Sequence, residues 1–430
     1  MSIADLLNTG IEQARLGSFQ TAVAQFDQVI QLDPSCAKAY YNRGCAYRDL
    51  KNPEAAIQDF SRAIQLNPDF VNAYINRGST FRVLGQVELA LADFETAIWL
   101  APEGVKAFAN RGRLRLDLEN YGSAIADFTT VLLRRPKFAK MYLWRGLTYL
   151  KQGAHEALAQ NRREAYQLAV ADLDQALHLQ PDLTEAYNYR AVAYFQMGNF
   201  YQAALDLNQA LAHQADFVEA YINRGMLRHE LGDYPGAIDD YTTVLELDPS
   251  LQERAYNQTL VGLALASPQD TLSEDKPLNL RFRLADLYDH RGTLRAQVGD
   301  LEGAIADFSL ASRFNATAPR IYANRGRIFS ELQRYIEAIA DFDKAILLKP
   351  GYALAYCHRG YALYHLQDWT TALEDFNQAI ELDPYLAEAY IGRGHTSIQL
   401  QHDAELAMND FRKALALSWE TGISKRSRLI

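Results

Sequence analysis

Arginine and aspartate recur along this chain in a matched series that could hold either ion pairs or anions. The arginines occupy one place in ten similar segments: Arg43, Arg77, Arg111, Arg145, Arg190, Arg224, Arg291, Arg325, Arg359 and Arg393. An aspartate follows in each of these segments: Asp59, Asp93, Asp127, Asp172, Asp206, Asp240, Asp307, Asp341, Asp375 and Asp410. The first segment lacks both and has Thr9 and Gln25 instead. Since the two types occur and disappear together, we interpret them as structural ion pairs in which a guanidinium holds a carboxylate in bidentate geometry. The alternative is a row of anion-binding arginines.

Asparagine forms a second series, one residue before the arginine. Its members are Asn8, Asn42, Asn76, Asn110, Asn223 and Asn324. A carboxamide both donates and accepts hydrogen bonds, so a row of them can clamp an extended peptide backbone without reading its side chains. The alternatives are a solvated side chain or a hydrogen bond within the helix. The row is longest near the N-terminus and is interrupted later by Trp144, Tyr189, His290, His358 and Gly392.

Cationic residues accompany the asparagines in the N-terminal half of the chain. They are Lys38, Arg48, Arg82, Lys106, Arg113 and Lys140. Further along, the places equivalent to Lys38 carry Glu185 and Glu219. This change of sign favours a basic N-terminal site that contacts an acidic segment of a partner, although such a charge run also occurs on a merely solvated face.

Residues for catalysis or metal binding are sparse. His358 and His365 are seven residues apart, and His395 could lie on the same side, but no carboxylate or cysteine completes a metal-ligand set. The sequence contains no phosphate-binding loop and no nucleophile motif. We therefore expect no enzymatic activity, no metal and no cofactor.

The elements that must position these residues follow a fixed period. Pro34, Pro68, Pro102 and Pro136 are spaced by 34, as are Pro350 and Pro384. We number the unit 37–70 from Ala37 as position 1, which places the arginine at position 7 and the asparagine at position 6. One helical face is predicted by Tyr40, Gly44, Tyr47 and Leu50, and a second by Ala56, Ile57, Phe60, Ala63 and Ile64. Asn67-Pro68 ends the unit, because a residue before proline avoids the helical region.

The pattern resembles the tetratricopeptide (TPR) repeat. The residues that match its signature are Tyr40, Gly44, Tyr47, Ala56, Phe60, Ala63 and Pro68. The resemblance implies an all-α, right-handed superhelical solenoid of helix-turn-helix repeats, in which the first helices line a concave groove and position 6 faces that groove. A single helix pair leaves apolar surface open on both sides and must stack on its neighbours.

The period predicts two arrays, of seven and four repeats, over 3–251 and 285–421. Their bounds are 3–36, 37–70, 71–104, 105–138, 139–183, 184–217 and 218–251, then 285–318, 319–352, 353–386 and 387–421. Repeat 5 contains an insertion near 154–164, which we expect to lengthen both of its helices. The last residues, 422–430, form a short basic tail that we expect to be frayed.

The segment 252–284 interrupts the period. QERAYNQTLVGLALA is predicted to form one helix, and LNLRFRL is predicted to extend the next helix backwards. Between them SPQDTLSEDKP, residues 267–277, is polar, contains two prolines and is predicted to be an exposed loop and the main site of limited proteolysis.

Composition excludes several classes of function. The 430 residues carry a net charge of −10, with a pI near 5.5, which argues against general nucleic-acid or anionic-membrane binding. No run of 18 apolar residues could span a membrane, and MSIADLLNTGIEQ does not have the pattern of a signal peptide. Cys36, Cys45 and Cys357 show no paired spacing, which is typical of a reducing compartment, so we expect a cytoplasmic protein.

These observations favour a non-enzymatic scaffold that binds extended peptide or protein segments along the asparagine row. Two alternatives stay open. One is a structural or self-assembling protein that uses exposed array ends, because no additional polar helix is evident after the last repeat. The other is a regulatory adaptor subunit of an enzyme complex.

Overall fold

The computed structural model of the chain describes residues 2–247, 280–400 and 404–426. These residues contain helices and turns but no strand, so the all-α prediction is confirmed for them. None of the described helices combines the length and the apolar character that a bilayer crossing requires. The helices fall into two compact units, Met1–Ala215 and Asp216–Ile430, and each unit is described by itself.

The first unit is a stack of six helix pairs, and each pair is one repeat. Its helices are α1 (Ile3–Arg15), α2 (Phe19–Leu32), α3 (Ala37–Asp49), α4 (Pro53–Leu66), α5 (Val71–Val83), α6 (Val87–Leu100), α7 (Val105–Asp117), α8 (Tyr121–Arg134), α9 (Ala139–His155), α10 (Ala159–Leu179), α11 (Thr184–Gln196) and α12 (Phe200–His213). Odd-numbered helices are called A helices below and even-numbered helices B helices. Each A helix packs against its own B helix and against the B helix of the preceding repeat.

The second unit contains five helix pairs among the described residues. They are α13 (Val218–Glu230), α14 (Tyr234–Glu246), α15 (Leu280–Gln297), α16 (Leu301–Phe314), α17 (Pro319–Glu331), α18 (Tyr335–Leu348), α19 (Ala353–His365), α20 (Trp369–Leu382), α21 (Ala387–Gln399) and α22 (Ala404–Arg426). The same alternation of A and B helices applies, and successive helices pack against each other as in the first unit.

The turn between the two helices of a repeat is determined by a few local residues. Lys51 adopts a left-handed backbone conformation (φ 59°), which ends α3. The N–H of Asn52 then donates to the carbonyl of Tyr47 at 2.9 Å, as in a Schellman-type helix end. The side chain of Asn52 accepts a hydrogen bond from the N–H of Ala55 at 3.2 Å and so caps α4, which starts with Pro53 at its first position.

A phenylalanine from the B helix fills the space between the two helices of a repeat. Phe60 is completely buried and lies against Gly44 of α3. A Cβ atom at residue 44 would lie 2.8 Å from the Phe60 ring, closer than packed carbon atoms allow. Glycine at position 8 therefore allows the two helices of the repeat to approach closely.

Repeat 5 has longer helices than its neighbours. Its A and B helices, α9 and α10, have 17 and 21 residues, whereas α3 and α4 have 13 and 14. The turn between them lies at 156–158, inside the predicted insertion at 154–164. The additional residues therefore extend both helices of the pair, as expected.

Repeats 7 and 8 stack directly on each other. Val244 of α14 shares one apolar cluster with Leu287 and Leu294 of α15, and the Nη1–H of Arg291 donates to Thr242 Oγ1 at 3.1 Å. The irregular segment predicted at 252–284 therefore begins and ends at two adjacent members of one stack. α15 starts at Leu280, which agrees with a helix extended backwards from 285. The helix predicted for QERAYNQTLVGLALA and the exposed loop at 267–277 lie outside the described residues.

The C-terminal helix is longer than predicted. α22 continues to Arg426, into the segment 422–430 that we expected to be frayed. No proline follows Pro384, so nothing blocks continuation of the helix beyond the eleventh repeat. Residues 427–430 lie outside the described part of the chain.

Candidate functional site

All ten predicted Arg–Asp ion pairs form, so this prediction is confirmed. In repeat 3, Nε–H and Nη2–H of Arg77 donate to the two carboxylate oxygens of Asp93 at 2.9 and 2.7 Å. The other nine pairs are also joined by hydrogen bonds from Nε and Nη2 to the aspartate: Arg43–Asp59, Arg111–Asp127, Arg145–Asp172, Arg190–Asp206, Arg224–Asp240, Arg291–Asp307, Arg325–Asp341, Arg359–Asp375 and Arg393–Asp410. Each pair connects the A helix to the B helix of its own repeat.

The same guanidinium groups reach a third helix, which the sequence reasoning missed. Nη1–H of Arg77 donates to Ser61 Oγ at 2.9 Å, on the B helix of the preceding repeat. The equivalent contacts of other arginines are made to Asp27, Glu95, Thr129, Asp174, Thr242, Ser309, Asp343 and Asn377. The signal was present in the sequence, because position 25 always carries a side-chain oxygen in these repeats. One arginine thus joins three helices and two repeats.

The ion pairs are mostly shielded from water. The Asp307 side chain is 1% exposed and that of Arg291 is 11% exposed. The hydrogen bonds from Arg43 to Asp59 raise the pKa of the arginine, whereas burial raises the pKa of the Asp375 carboxyl despite its bonds to Arg359. Each guanidinium also lies over an aromatic ring, as Arg43 does over Tyr40 at 5.5 Å. The geometry supports the structural interpretation, because Nε, Nη1 and Nη2 of arginines such as Arg77 are all engaged by the aspartate and the neighbouring repeat.

The predicted peptide-contacting residues of the first unit lie on neighbouring A helices. We define the A-helix face as positions 2, 5, 6, 9, 12 and 13 of α3, α5, α7 and α9. These A helices contact one another in sequence, from α3 to α5, α7 and α9. Side chains at position 6 of one repeat meet those at positions 5 and 9 of the preceding repeat. Residues predicted from four separate repeats are therefore brought onto one continuous face.

Asn42 and Asn110 share one arrangement. The Nδ2 of Asn42 donates to the carbonyl of Lys38, and that of Asn110 to the carbonyl of Lys106, both at 2.8 Å and both within their own helix. The Oδ1 of Asn42 accepts no hydrogen bond from the described residues, and that of Asn110 accepts only a long one of 3.4 Å, from Ser79. Each carboxamide thus retains one N–H and an acceptor oxygen for another partner.

Asn76 is held differently. Its Nδ2 donates to Tyr41 Oη at 3.0 Å and to Cys45 Sγ at 3.3 Å, both on the preceding repeat. The difference follows from position 5 of the preceding repeat, where Asn76 meets a tyrosine hydroxyl but Asn110 meets the apolar Ile75. Asn76 therefore ties two repeats together and keeps only its oxygen as an acceptor. Burial raises the pKa of Tyr41 to about 12, so the hydroxyl stays protonated.

The three other predicted asparagines are placed in distinct surroundings. Asn8 on α1 is exposed. Asn324, in the second unit, donates to the buried carboxylate of Asp289 at 3.2 Å, which also accepts from Arg320 at 2.7 Å. Asn223 is completely buried. Of the six asparagines, therefore, Asn8, Asn42, Asn76 and Asn110 lie in the first unit and reach the surface.

The predicted cations divide into paired and unpaired groups. Arg48 bonds Asp49 at 3.1 Å, and Arg82 forms an ion pair with Asp117. In contrast, Lys38, Lys106 and Lys140 are exposed and make no ion pair with any described residue. The fourth unpaired cation is Arg113, whose guanidinium carbon lies 4.5 Å from the centroid of the Trp144 ring. The positive charge that remains uncompensated is therefore concentrated at position 2 and at Arg113.

The histidines singled out in the sequence lie against different aromatic rings. His358 packs near Phe342, His365 stacks on Tyr335 with centroids 4.9 Å apart, and His395 lies near Phe411. Burial lowers the pKa of His358. Among the described residues, no group of three or more His, Cys, Asp or Glu side chains is arranged to hold a metal ion.

The sequence matches family profiles over several stretches. A profile described as tetratricopeptide repeat matches residues 37–70, 218–251 and 353–386, the same bounds as the second, seventh and tenth predicted repeats. A second profile with that description matches 109–160, and one described as TPR repeat matches 326–367. The search of functionally curated proteins gives no match.

Solved structures resemble the chain at low identity. A tetratricopeptide repeat protein from Parabacteroides merdae is 18% identical over 68% of this chain and 98% of its own, with a TM-score of 0.45. YrrB, described as a TPR protein with an unusual peptide-binding site, is 24% identical over 42% of this chain and 88% of its own, with a TM-score of 0.34. The Cut9–Hcn1 complex matches at 12% identity over 97% and 94%, with a TM-score of 0.41. All three scores are low, so the repeat assignment is carried by the sequence matches.

Proposed function

Because this chain belongs to the tetratricopeptide-repeat family, whose members are in general non-enzymatic scaffolds, we propose that it binds an extended segment of a partner protein on the A-helix face of repeats 2–5. The single observation that carries this proposal is the unfilled hydrogen-bonding capacity of Asn42 and Asn110. Each side chain is fixed by one hydrogen bond to its own helix and retains one N–H and an acceptor oxygen.

This capacity fits a peptide backbone. An extended chain presents an N–H and a C=O at every residue, and each must find a partner when it leaves water. A carboxamide held by its own helix can accept from the one and donate to the other. Because its orientation is already fixed before binding, less side-chain entropy is lost on association. Asn76 contributes an acceptor between these two clamps, and Asn8 extends the row by one repeat.

The charge on this face favours an acidic segment. Lys38, Lys106 and Lys140 carry exposed positive charges without an ion-pair partner among the described residues. Arg48 and Arg82 contribute less, because Asp49 and Asp117 compensate them. Exposed charges of this kind act on association rate and specificity and are screened by salt. We therefore expect binding to weaken as ionic strength rises.

The experiment is a selection of random 12-residue peptides, displayed on phage, against the immobilised full-length protein. Peptides enriched on the wild type, but not on a variant carrying Asn42→Ala and Asn110→Ala, would support the proposal, and they should be rich in Asp and Glu. A matched control carries Asn161→Ala and Asn409→Ala, which are exposed on the B helices α10 and α22 and lie outside the A-helix face. Enriched peptides that bind the row variant as well as the wild type would contradict it.

A second function is favoured by one observation in the other unit. The last described helix, α22, exposes Leu406, Met408 and Leu415, with exposed fractions of 47%, 51% and 62%. Apolar residues at an array end are a surface for self-association. Sedimentation velocity at rising protein concentration tests this. Dimers that disappear in Leu415→Glu would support self-association, and a concentration-independent monomer would contradict it.

A further inference from the structure

The contact between neighbouring A helices changes its residue types where the asparagine row ends. Position 9 of one repeat meets position 6 of the next in three successive steps. Two of these steps are polar and neutral: Cys45 with Asn76, where Nδ2 and Sγ are 3.3 Å apart, and Ser79 with Asn110, where the oxygens are 3.4 Å apart. The third step is Arg113 with Trp144. A cation and an indole thus replace the hydrogen-bonding pair at the same location, one repeat further along.

The guanidinium of Arg113 is positioned but unpaired. Its Cζ lies 4.5 Å from the centroid of the Trp144 ring, within the range of a cation–π contact. Unlike the ten arginines at position 7, it makes no hydrogen bond or ion pair with any described residue. Because a cation–π contact uses no N–H donor, the donors of Arg113 remain available, in the planar fork that matches a carboxylate.

The surroundings of Arg113 are short of negative charge. Burial lowers the pKa of Arg113, and the neighbouring positive charge of Arg82 lowers it further, while Asp117 acts in the opposite direction. Asp117 is already engaged by Arg82. The charged form of Arg113 is therefore stabilised less than that of a solvated arginine. A bound anion would restore the electrostatic stabilisation that the guanidinium loses on burial.

We propose that Arg113, supported by Trp144, binds the side-chain carboxylate of an aspartate or glutamate in the peptide held by the asparagine row. This inference rests on the proposed function and adds a specificity-determining residue to it. Asn42 and Asn110 hold the backbone of any sequence, whereas Arg113 selects for one acidic side chain. Arg113 is thus the point at which this face distinguishes one peptide from another.

The positions of Asn110 and Arg113 set the spacing of that acidic residue. They lie three residues apart on α7, and side chains at this separation on a helix are neighbours with Cβ atoms about 5–6 Å apart. An extended chain advances about 3.3 Å per residue. The carboxylate should therefore belong to a residue about one or two positions away from the residue clamped at Asn110, in either chain direction.

The test uses a 12-residue peptide obtained from the selection on the full-length protein, with each Asp and Glu replaced in turn by Asn or Gln. Against the wild type, one replacement should weaken binding about tenfold or more, whereas against Arg113→Gln the same replacement should have no further effect. Arg113→Lys should recover only part of the affinity, because an ammonium lacks the planar fork. The matched control Arg62→Gln removes an exposed arginine of the B helix α4, outside the A-helix face, and should change binding less than about twofold.

Failure of this inference is distinguishable from failure of the proposed function. If every acid-to-amide replacement costs the same in the wild type and in Arg113→Gln, while loss of Asn42 and Asn110 still abolishes binding, Arg113 is not the acid-binding residue and the clamp stands. If the peptide is indifferent to Asn42 and Asn110 as well, both fail. Thermal unfolding of each variant verifies that Arg113→Gln remains folded, and Trp144→Phe provides a second variant that should keep most of the coupling.

Discussion

Arg77 and Asp93 are joined by two parallel hydrogen bonds of 2.9 and 2.7 Å, between a side chain 20% exposed and one 6% exposed. The same arginine also donates to Ser61 of the preceding repeat at 2.9 Å. The relationship therefore fixes the two helices of repeat 3 to each other and the repeat to its neighbour. Because every described repeat except the first has an equivalent pair, one residue combination joins the two helices of a repeat throughout each unit.

Breaking this pair should cost more than reversing it. Arg77→Asp or Asp93→Arg alone leaves a charge uncompensated in a partly buried place, which costs about 3 kcal/mol. The double reversal should cost less than the two single changes added together. This pair suits the cycle because its third partner, Ser61, is neutral. Urea denaturation of the four proteins measures the coupling.

The exposed pair Arg48–Asp49 is the matched control, with side chains 40% and 39% exposed. Its coupling should be under about 1 kcal/mol. Equal coupling at the two pairs, or none at Arg77–Asp93, would show that the buried ladder does not stabilise the stack.

Glycine-to-alanine changes should have opposite signs at two helical positions. At Gly78 a Cβ atom would lie 2.9 Å from the Phe94 ring, so Gly78→Ala should destabilise by about 1–3 kcal/mol. At Gly122, within the first turn of α8, a Cβ atom would meet nothing within 4 Å. Gly122→Ala should therefore stabilise by up to about 1 kcal/mol, because alanine loses less backbone entropy. Thermal unfolding compares the two, and stabilisation by both would show that the helices do not approach closely at position 8.

The second unit should lose stability at acidic pH, because His290 is neutral in the folded state and binds a proton in the unfolded state. Its Nε2 is shielded from water and has no partner among the described residues. Burial lowers the pKa of His290, the charges of Arg320 and His229 lower it too, and Asp289 raises it. Because the folded state keeps the ring neutral, the unfolded chain binds more protons below its ordinary pKa of about 6.5. The free energy of unfolding should therefore decrease as the pH falls below about 6.5 and change little above it.

His290→Asn supplies the comparison, since asparagine occupies position 6 in other repeats. This variant should lose part of the pH dependence between about pH 6.5 and 5, measured by urea denaturation. His358 remains and contributes in the same direction, because burial lowers its pKa as well. An unchanged pH profile in His290→Asn would show that this histidine does not titrate between the folded and unfolded states.

Asn76 and Asn42 should differ in stability although they occupy the same position. Asn76 donates to Tyr41 and Cys45 across a repeat boundary, so Asn76→Ala should cost about 0.5–1.5 kcal/mol. Asn42 donates only to its own helix, and alanine is the better helix former, so Asn42→Ala should be close to neutral. Chemical denaturation measures both. If Asn42→Ala proves to be the more costly change, the description of the row is incorrect.

The sequence predicted those contacts in which both residues have the same types in every repeat that contains them. Arg77 and Asp93 belong to one repeat and always have the same residue types, so their pairing could be inferred. The contact of Arg77 with Ser61 could not be inferred as readily, since position 25 varies among five residue types that share only an oxygen. Gly392 was read only as a break in the asparagine row. A glycine is required there because a Cβ atom at residue 392 would overlap the Phe376 ring.

In the candidate site, too, the contacts between repeats could not be predicted from the sequence. Position 6 was predicted as one row with one role, but its hydrogen bonds depend on the residue at position 5 of the preceding repeat. Tyr41 draws Asn76 into an inter-repeat bond, and Asp289 does the same to Asn324. Such contacts join residues 35 apart in the sequence, but the residue that meets the asparagine is a tyrosine in one case and an aspartate in the other. They could be identified only once neighbouring repeats were placed side by side.

The most direct test of the central claim is the affinity of one selected 12-residue peptide for two forms of the full-length protein. Isothermal titration calorimetry would compare the wild type with the variant carrying Asn42→Ala and Asn110→Ala. With about 0.5–1.5 kcal/mol from each lost hydrogen bond, and two such bonds at each of the two asparagines, binding should weaken about thirtyfold to twenty-thousandfold while thermal stability stays nearly constant. Equal affinity for both forms would contradict the account, because the A-helix face would then not be where the peptide is held.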